Sequence, residues 1–156
     1  MSILWKILPW EELSRDELYA ILQLRAEVFV VEQNCAYQDV DGKDEEAVHL
    51  WAEDNEGIVA YLRILPPGVS YENDAAIGRV ITASRVRRTG IGKELMRRGI
   101  AASQRMFPEH NLHISAQEYL REFYQSFGFE QVGEGYLEDG IPHISMIRNK
   151  EEVKKK

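Results

Sequence analysis

The sequence of 156 residues has one cysteine, no long apolar run and more acidic than basic side chains. A lone Cys35 excludes an internal disulfide, and it fits a reducing cytoplasm as the expected location. No apolar run approaches the ~20 residues of a membrane-spanning helix, and no signal-peptide pattern opens the chain. The net charge of −7 argues against nucleic acid, whose phosphates select basic surfaces. We therefore expect a globular protein without a membrane or nucleic-acid partner.

Metal binding is a further class that the residue spacing does not favour. The four histidines show no pair with a ligand spacing such as HxxxH. His49 and His143 are each expected to be packing residues of strands. We expect no metal.

Apolar periodicity and turn residues predict an α/β chain, in one domain over residues 1–150 and a charged, frayed tail over 151–156. Ser14 followed by Glu17 is a capping box that opens a first helix, and Pro66-Pro67-Gly68 ends a strand. The other helices are predicted at 91–106 and 117–126, and the strands at 2–8, 47–54, 58–65, 75–82, 112–116, 129–137 and 143–148. This order is β-α-β-β-β-α-β-α-β-β, which predicts a mixed sheet with antiparallel hairpins and one parallel crossover.

One short segment reverses the charge of the chain. Residues 85–98 carry six arginines and lysines against Glu94 alone, a local charge of +5, so the remaining residues sum to −7 − 5 = −12. Gly90 and Gly92 stand where the preceding strand gives way to a helix, and the free amides of a helix N-terminus bind anions. A tight strand-to-helix turn would show the same two glycines, and Arg97 with Arg98 fits a solvated helix face. The segment alone thus leaves a phosphate site and a plain turn both open.

Two motifs taken together resemble the GNAT superfamily of N-acetyltransferases. The stretch 87–92, RRTGIG, is similar to the family signature [R/Q]-x-x-G-x-G/A, and it lies between the expected strand and helix. The stretch 117–129, QEYLREFYQSFGF, resembles the second motif, N-x-x-A-x-x-x-Y-x-x-x-GF. LRAEVFVVEQNCAYQDVDGKD (24–44) and EDGIPHISM (138–146) resemble the ElaA-like branch. The resemblance covers residues 3–148.

The resemblance implies a GNAT-like fold and acetyl-CoA as the acetyl donor. The fold would be a mixed, mostly antiparallel sheet of six to seven strands, flanked by about four helices and splayed at its central parallel strands. The pyrophosphate of acetyl-CoA would bind the amides of residues 88–93, and its pantetheine arm would lie along the strand at 80–82. The cofactor-binding residues implied are Val80, Ile81, Thr82, Arg87, Arg88, Thr89, Gly90, Ile91, Gly92, Lys93, Gln117 and Tyr124.

Acetyl transfer to an amine needs a neutral nucleophile and an acid for the departing thiolate. The second motif implies that Tyr124 is this acid, whereas its position alone favours a core tyrosine that packs beside Phe123 and Phe127. Glu32 and His113 are the two candidate bases, and each has a simpler interpretation as a solvated glutamate and a half-buried strand histidine. Arg25, Arg63 and Arg79 are interpreted either as arginines of the acceptor pocket or as members of internal ion pairs.

The expected reaction is direct transfer of an acetyl group from acetyl-CoA to a primary amine, which is a small molecule, a peptide or protein lysine, or an N-terminus. A non-catalytic acyl-CoA-binding protein on the same fold is the alternative, and a protein that docks an acidic partner on the basic segment is a third hypothesis. The acidic remainder of the chain mildly favours a cationic acceptor such as a polyamine, an aminoglycoside or a lysine-like amine. Both a monomer and a homodimer are compatible with the sequence.

Overall fold

A computed structural model describes residues 2–151, which form seven strands and three α-helices. Residues 152–156 of the expected tail lie outside the described residues. The strands are β1 (Leu4–Pro9), β2 (Val48–Asp54), β3 (Gly57–Leu65), β4 (Ala75–Thr82), β5 (Leu112–Gln117), β6 (Glu130–Glu138) and β7 (Ile141–Arg148). The helices are α1 (Arg15–Arg25), α2 (Ile91–Met106) and α3 (Arg121–Gln125).

The seven strands make one sheet in the order β1-β2-β3-β4-β5-β7-β6. Every neighbouring pair is antiparallel except β4 and β5, which are parallel and joined by α2. This confirms the predicted fold class and the order of elements. Three α-helices stand where about four were expected, and the first continues without a break as a π-helical segment, Ala26–Glu32.

Local sequence signals account for where the helices begin and end. The Ser14 hydroxyl accepts a hydrogen bond from the Glu17 amide, and the Glu17 carboxylate accepts one from the Ser14 amide, which is the predicted capping box. The helix predicted at 117–126 is shorter, because β5 extends to Gln117 and a 3-10 turn, Glu118–Leu120, precedes α3. No helix among the described residues is long and apolar enough to cross a membrane.

The two faces of the sheet are covered by different helices. Ile21 and Leu24 of α1 pack with Trp51 and Tyr61, and we call this side the α1 face. On the other side, the α2 face, α2 packs so closely that a Cβ added to Gly99 would lie 2.7 Å from Cδ2 of Leu62. The absence of a side chain at Gly99 therefore allows this close approach. Alternate residues of each central strand point to the two faces.

The parallel strands β4 and β5 separate soon after they meet. Only two residue pairs join them, Ala75 with Leu112 and Ala76 with His113. Beyond these pairs the two strands diverge, so the backbone of β4 that faces β5 has no strand partner there. The sheet therefore opens at its centre, as the fold prediction required.

Candidate active site

The segment between β4 and α2 forms an open cradle at the helix N-terminus. Gly90 is the N-cap of α2 and has φ +86°, a left-handed backbone conformation that is strained for any residue with a Cβ. No atom lies within 4 Å of the position that a Cβ would occupy. Gly92 follows in the first turn, where an added Cβ would lie 3.9 Å from Cγ2 of Thr82. A cavity of about 200 Å³ lies at this cradle. It is lined by Thr82, Val86, Arg87, Arg88, Gly90, Ile91, Gly92, Lys93 and Phe123.

The positive charges around this cradle are not all available to a ligand. Arg85 donates two hydrogen bonds to Asp54 at 2.5 and 2.7 Å, and Arg87 donates two to Glu32 at 2.7 and 3.2 Å. Arg88 and Lys93 form no ion pair with any of residues 2–151. The cradle thus combines the free amides of α2 with two unpaired cations, an arrangement that suits a phosphate group.

A larger cavity of about 580 Å³ occupies the opening between β4 and β5. Val80 on β4 and Gln117 on β5, both predicted cofactor-binding residues, line it. Tyr124 of α3 also lines it, and this residue packs in the core that lies on the α2 face. Side chains of the α1 face line the same cavity, including Phe29, Tyr37, Tyr71, Arg79, Glu138 and His143. The cavity is therefore in contact with both faces of the sheet.

Tyr124 is buried, and its ring makes edge contacts with Phe123 and Phe129, with centroid separations of 5.2 and 6.1 Å. Burial is the main cause that raises the pKa of its phenol well above the usual value of about 10. The phenol consequently keeps its proton and can donate it in a hydrogen bond to an acceptor in the cavity. Its role as the acid stays a prediction.

The two predicted bases lie outside the set of residues that line either cavity. The Glu32 carboxylate binds Arg87, as described above. The His113 ring stacks on Tyr71 with a centroid separation of 3.5 Å, and its Nδ1 lies 3.1 Å from the Asp74 carboxylate. The catalytic roles of Glu32 and His113 stay predictions, and both side chains already have partners within the protein.

The three arginines assigned to the acceptor side form internal ion pairs with three aspartates. We call Arg25, Arg63, Arg79, Asp39, Asp41 and Asp44 the arginine–aspartate cluster. Asp44 bridges two of the guanidinium groups, accepting from Arg25 at 2.7 Å and from Arg63 at 3.0 Å. Arg79 lies 2.8 Å from Asp39, and its guanidinium lies over the rings of Phe29 and Tyr37. The internal ion pairs are therefore observed, and Arg63 and Arg79 also line the large cavity.

Opposing effects set the pKa of the acids in this cluster. Burial alone would raise the pKa of Asp44, but the hydrogen bonds and positive charges of Arg25 and Arg63 outweigh it and lower the pKa. The pKa of Asp41 is lowered in the same way, chiefly by Arg63. The carboxylates of Asp41 and Asp44 therefore remain charged, and their ion pairs hold the segment 39–44 against the sheet.

His143 lines the large cavity, although the sequence predicts only a packing residue there. It is opposite Gln117 on β5 and Tyr136 on β6, and neighbours directly opposite in an antiparallel pair share a face. Glu138 lies beside it at the β6–β7 turn. The only sequence signal available was that both residues belong to EDGIPHISM, the second segment that resembles the ElaA-like branch.

Comparison with known proteins gives the class of the chain. The family model described as "Acetyltransferase (GNAT) domain" matches residues 11–150. The protein therefore belongs to the GNAT acetyltransferase family, whose fold uses acetyl-CoA as a substrate. Among residues 2–151, no group of three or more histidine, cysteine, aspartate or glutamate side chains is placed to hold a metal ion.

Within that family the chain is similar to ElaA proteins. It is 46% identical over 146 residues to Protein ElaA of Escherichia coli (strain K12), covering 92% of this chain and 95% of the relative. The crystal structure of Escherichia coli ElaA matches with a TM-score of 0.89 and 44% identity over 95% of this chain and all of the other. An acyl-CoA N-acyltransferase from Pseudomonas aeruginosa matches with a TM-score of 0.90 and 45% identity, over the same shares.

Proposed function

We propose that this protein transfers an acetyl group from acetyl-CoA to a primary amine by direct attack in a ternary complex. The observation that carries the proposal is the opening between β4 and β5, where a cavity contacts both faces of the sheet and Tyr124 lines it. A linear thioester entering from the α2 face and an amine entering from the α1 face would meet in this opening.

The residues of the cradle fit the phosphates of acetyl-CoA. The amides of residues 91–93 are at the positive end of the α2 dipole, and Arg88 and Lys93 add charge without an internal partner. The β4 backbone beside the opening has no pairing with β5 beyond Ala76, and such a strand edge suits the amides of a pantetheine arm. These features support binding of the donor along residues 80–82 and 87–93.

In the proposed reaction the amine nitrogen attacks the thioester carbonyl, a C–N bond forms and the C–S bond breaks. The Tyr124 phenol donates its hydrogen bond to the sulfur, and the thiolate takes that proton as it leaves. A base must take one proton from the amine, and the candidates predicted from the sequence are Glu32 and His113. The backbone amides near Ile81 and Thr82 are proposed to polarise the carbonyl.

The extent of the domain, the oligomeric state, the location and the class of acceptor are also part of this proposal. We propose a single catalytic domain over residues 1–150, acting as a monomer or a homodimer. Cys35 is a free thiol, which supports a place in the reducing cytoplasm. A small-molecule amine, a peptide or protein lysine and an N-terminus are all acceptors of the proposed class.

The test is release of coenzyme A thiol when acetyl-CoA is mixed with spermidine, lysine methyl ester, kanamycin or benzylamine. For an amine that the wild type acetylates, we expect Tyr124→Phe to lower kcat about 100-fold, since an acid in the transition state contributes that much. Acetyl-CoA should still bind, as measured by calorimetry. Tyr19→Phe is the matched control, because Tyr19 is 73% exposed on α1 and should leave kcat unchanged.

Two results would contradict this account. Unchanged kcat in Tyr124→Phe would remove the phenol from the mechanism. Acetyl-CoA binding by the wild type without turnover of any amine would instead favour the non-catalytic acyl-CoA-binding protein.

A further inference from the structure

The α1-face wall of the large cavity holds a histidine whose tautomer is fixed by the backbone. The Nδ1 of His143 lies 2.7 Å from the carbonyl oxygen of Ile141. A carbonyl can only accept a hydrogen bond, so Nδ1 carries a proton. In the neutral ring Nε2 therefore carries a lone pair. The β6–β7 hairpin thus presents a basic nitrogen rather than an N–H donor at Nε2.

A carboxylate lies beside that nitrogen. Nε2 of His143 is 3.4 Å from Oε2 of Glu138, and Glu138 forms no ion pair with an arginine or lysine among residues 2–151. When Nε2 carries no proton, it and the carboxylate are both acceptors, and the Ser115 hydroxyl donates to the same Glu138 oxygen at 3.5 Å. A cation or an N–H donor between them would satisfy both groups, and an ammonium or an amine has that chemistry.

His143 and Glu138 both line the large cavity, but they differ in exposure and in neighbours. The side chain of His143 is only 10% exposed, whereas that of Glu138 is 52% exposed. The ring of Tyr136 stacks near His143, with centroids 6.2 Å apart and an interplanar angle of 22°, and the Tyr136 hydroxyl is hydrogen-bonded to Ser115. Tyr71 faces the same groups, and burial raises its pKa to about 12, so it stays neutral. The carboxylates that line the cavity are Asp41, Glu138 and Asp139, and Asp41 is paired with Arg63 and Arg79.

The positions of Tyr124 and His143 on opposite faces of the sheet suggest what His143 and Glu138 do in the reaction. Tyr124 reaches the cavity from the core of the α2 face, and His143 reaches it from the α1 face, as Gln117 does. A thioester between the two would have its sulfur toward the phenol and its carbonyl carbon open to an amine beside the imidazole. Neither Glu32 nor His113 lines this cavity.

We propose that Nε2 of His143 takes the proton of the acceptor amine, and that Glu138 is a positioning residue that attracts the ammonium and stabilises the imidazolium. This inference rests on the proposed acetyl transfer and supplies its base. The bound ammonium first releases one proton to solvent and becomes the neutral amine. As the C–N bond forms and the C–S bond breaks, one N–H proton of that amine passes to Nε2 and the Tyr124 proton passes to the thiolate. The imidazolium then returns its proton to solvent past Glu138, and the phenolate is reprotonated.

The kinetic experiment compares wild type, His143→Gln, Glu138→Gln and His110→Gln with the same four amines. We expect His143→Gln to lower kcat at least about 100-fold, with calorimetric affinity for acetyl-CoA unchanged. Glu138→Gln should lower kcat/KM about tenfold. His110→Gln is the control, because the exposed His110 bonds only the Asn73 carbonyl and lies outside both cavities.

The pH profile separates a base from a packing residue. The wild type should lose kcat toward acid pH as the imidazole becomes protonated, and His143→Gln should lose this acid limb. Glu138 and Tyr136 contact His143, while Tyr71, Asp139, Arg79 and Cys35 are ionisable groups that line the same cavity. Glu138→Gln should move the limb while leaving it present. If Glu32→Gln or His113→Gln removes the limb and His143→Gln keeps it, the proposal is wrong.

A second readout needs no turnover and keeps the test independent of the acceptor. Nitrogen-15 NMR of the imidazoles, with His143 assigned by its loss in His143→Gln, should show the Nδ1–H tautomer at pH 8. An Nε2–H tautomer, or a ring protonated at both nitrogens at that pH, would overturn the proposal. Absence of acetyl-CoA binding by the folded wild type would instead overturn the proposed function, so the two failures are distinguishable.

Discussion

Two groups of three arginines in this protein have opposite surroundings. Arg25, Arg63 and Arg79 are buried or half-buried and bind three aspartates, so their charge is neutralised within the fold. Arg85, Arg87 and Arg88 lie on the surface at the start of α2, where one of them has no acidic partner among residues 2–151. The comparison teaches that the number of arginines in a segment says little about ligand binding until their partners are known.

The difference follows from how the acids are distributed. The segment 39–44 supplies three aspartates to one place, while Asp54 and Glu32 reach the cradle from separate elements. A buried charged side chain must be paired with an opposite charge, because its removal from water is costly. An exposed charged side chain needs no such partner, because water solvates it. The arginine–aspartate cluster should therefore govern stability, and the cradle should govern anion binding.

The largest effect is expected when the cluster loses a charge. Asp44→Asn removes the carboxylate that bridges Arg25 and Arg63, leaving two buried guanidinium groups with too few acids. We expect the free energy of unfolding to fall by about 3 kcal/mol, the usual result of breaking a buried ion pair. Urea denaturation monitored by tryptophan fluorescence measures it. Asp16→Asn, at a side chain that is 93% exposed, is the control and should change stability by less than about 0.5 kcal/mol.

The same variant also has a pH signature. The pKa of Asp44 and of Asp41 is lower in the folded protein than the ordinary value of about 3.9. The unfolded chain therefore binds more protons as the pH falls below about 4, and stability decreases there. Asp44→Asn should make this decrease shallower. An unchanged slope, or a stability equal to that of the wild type, would show that the cluster is not the stabilising element described here.

A smaller effect, on binding alone, is expected at the cradle. Arg88→Gln removes an unpaired cation, so stability should stay within about 0.5 kcal/mol of the wild type. Acetyl-CoA should bind about fivefold more weakly, with a weaker dependence on salt. The control is Arg97→Gln, because Arg97 lies on the outer face of α2 and pairs with Glu94. Equal affinity in the two variants would remove Arg88 from the anion site.

The part of the fold that was predictable from the sequence depends on neighbours along the chain. The bounds of α2 and the capping box at Ser14 each follow from residues within a few positions. The opening between the central strands was predicted only because two motifs resemble those of the GNAT superfamily. The π-helical continuation of α1 was not predicted, because its apolar pattern suits an ordinary helix equally well.

The α1-face wall of the large cavity could not be predicted in the same way, because its contacts join distant residues. Arg79 reaches Asp39 across 40 positions, and the Cys35 thiol lies 3.6 Å from the Asp139 carbonyl oxygen across 104. Arg79 also has φ +53°, a left-handed conformation that nothing in its sequence indicates. Loops and hairpin ends from several elements build this wall, and only the folded sheet brings them together.

The central claim is that the cradle at the start of α2 binds acetyl-CoA, and calorimetric titration with acetyl-CoA tests it most directly. The protein should be compared with Gly90→Val and with Gly133→Val. Both glycines have positive φ, +86° and +73°, and open space where a Cβ would stand, so the backbone strain is matched. We expect the wild type and Gly133→Val to bind, and Gly90→Val to bind at least about 100-fold more weakly, because the strained turn withdraws its amides from the phosphates. Absence of binding by the folded wild type, or equal binding by Gly90→Val, would contradict the account.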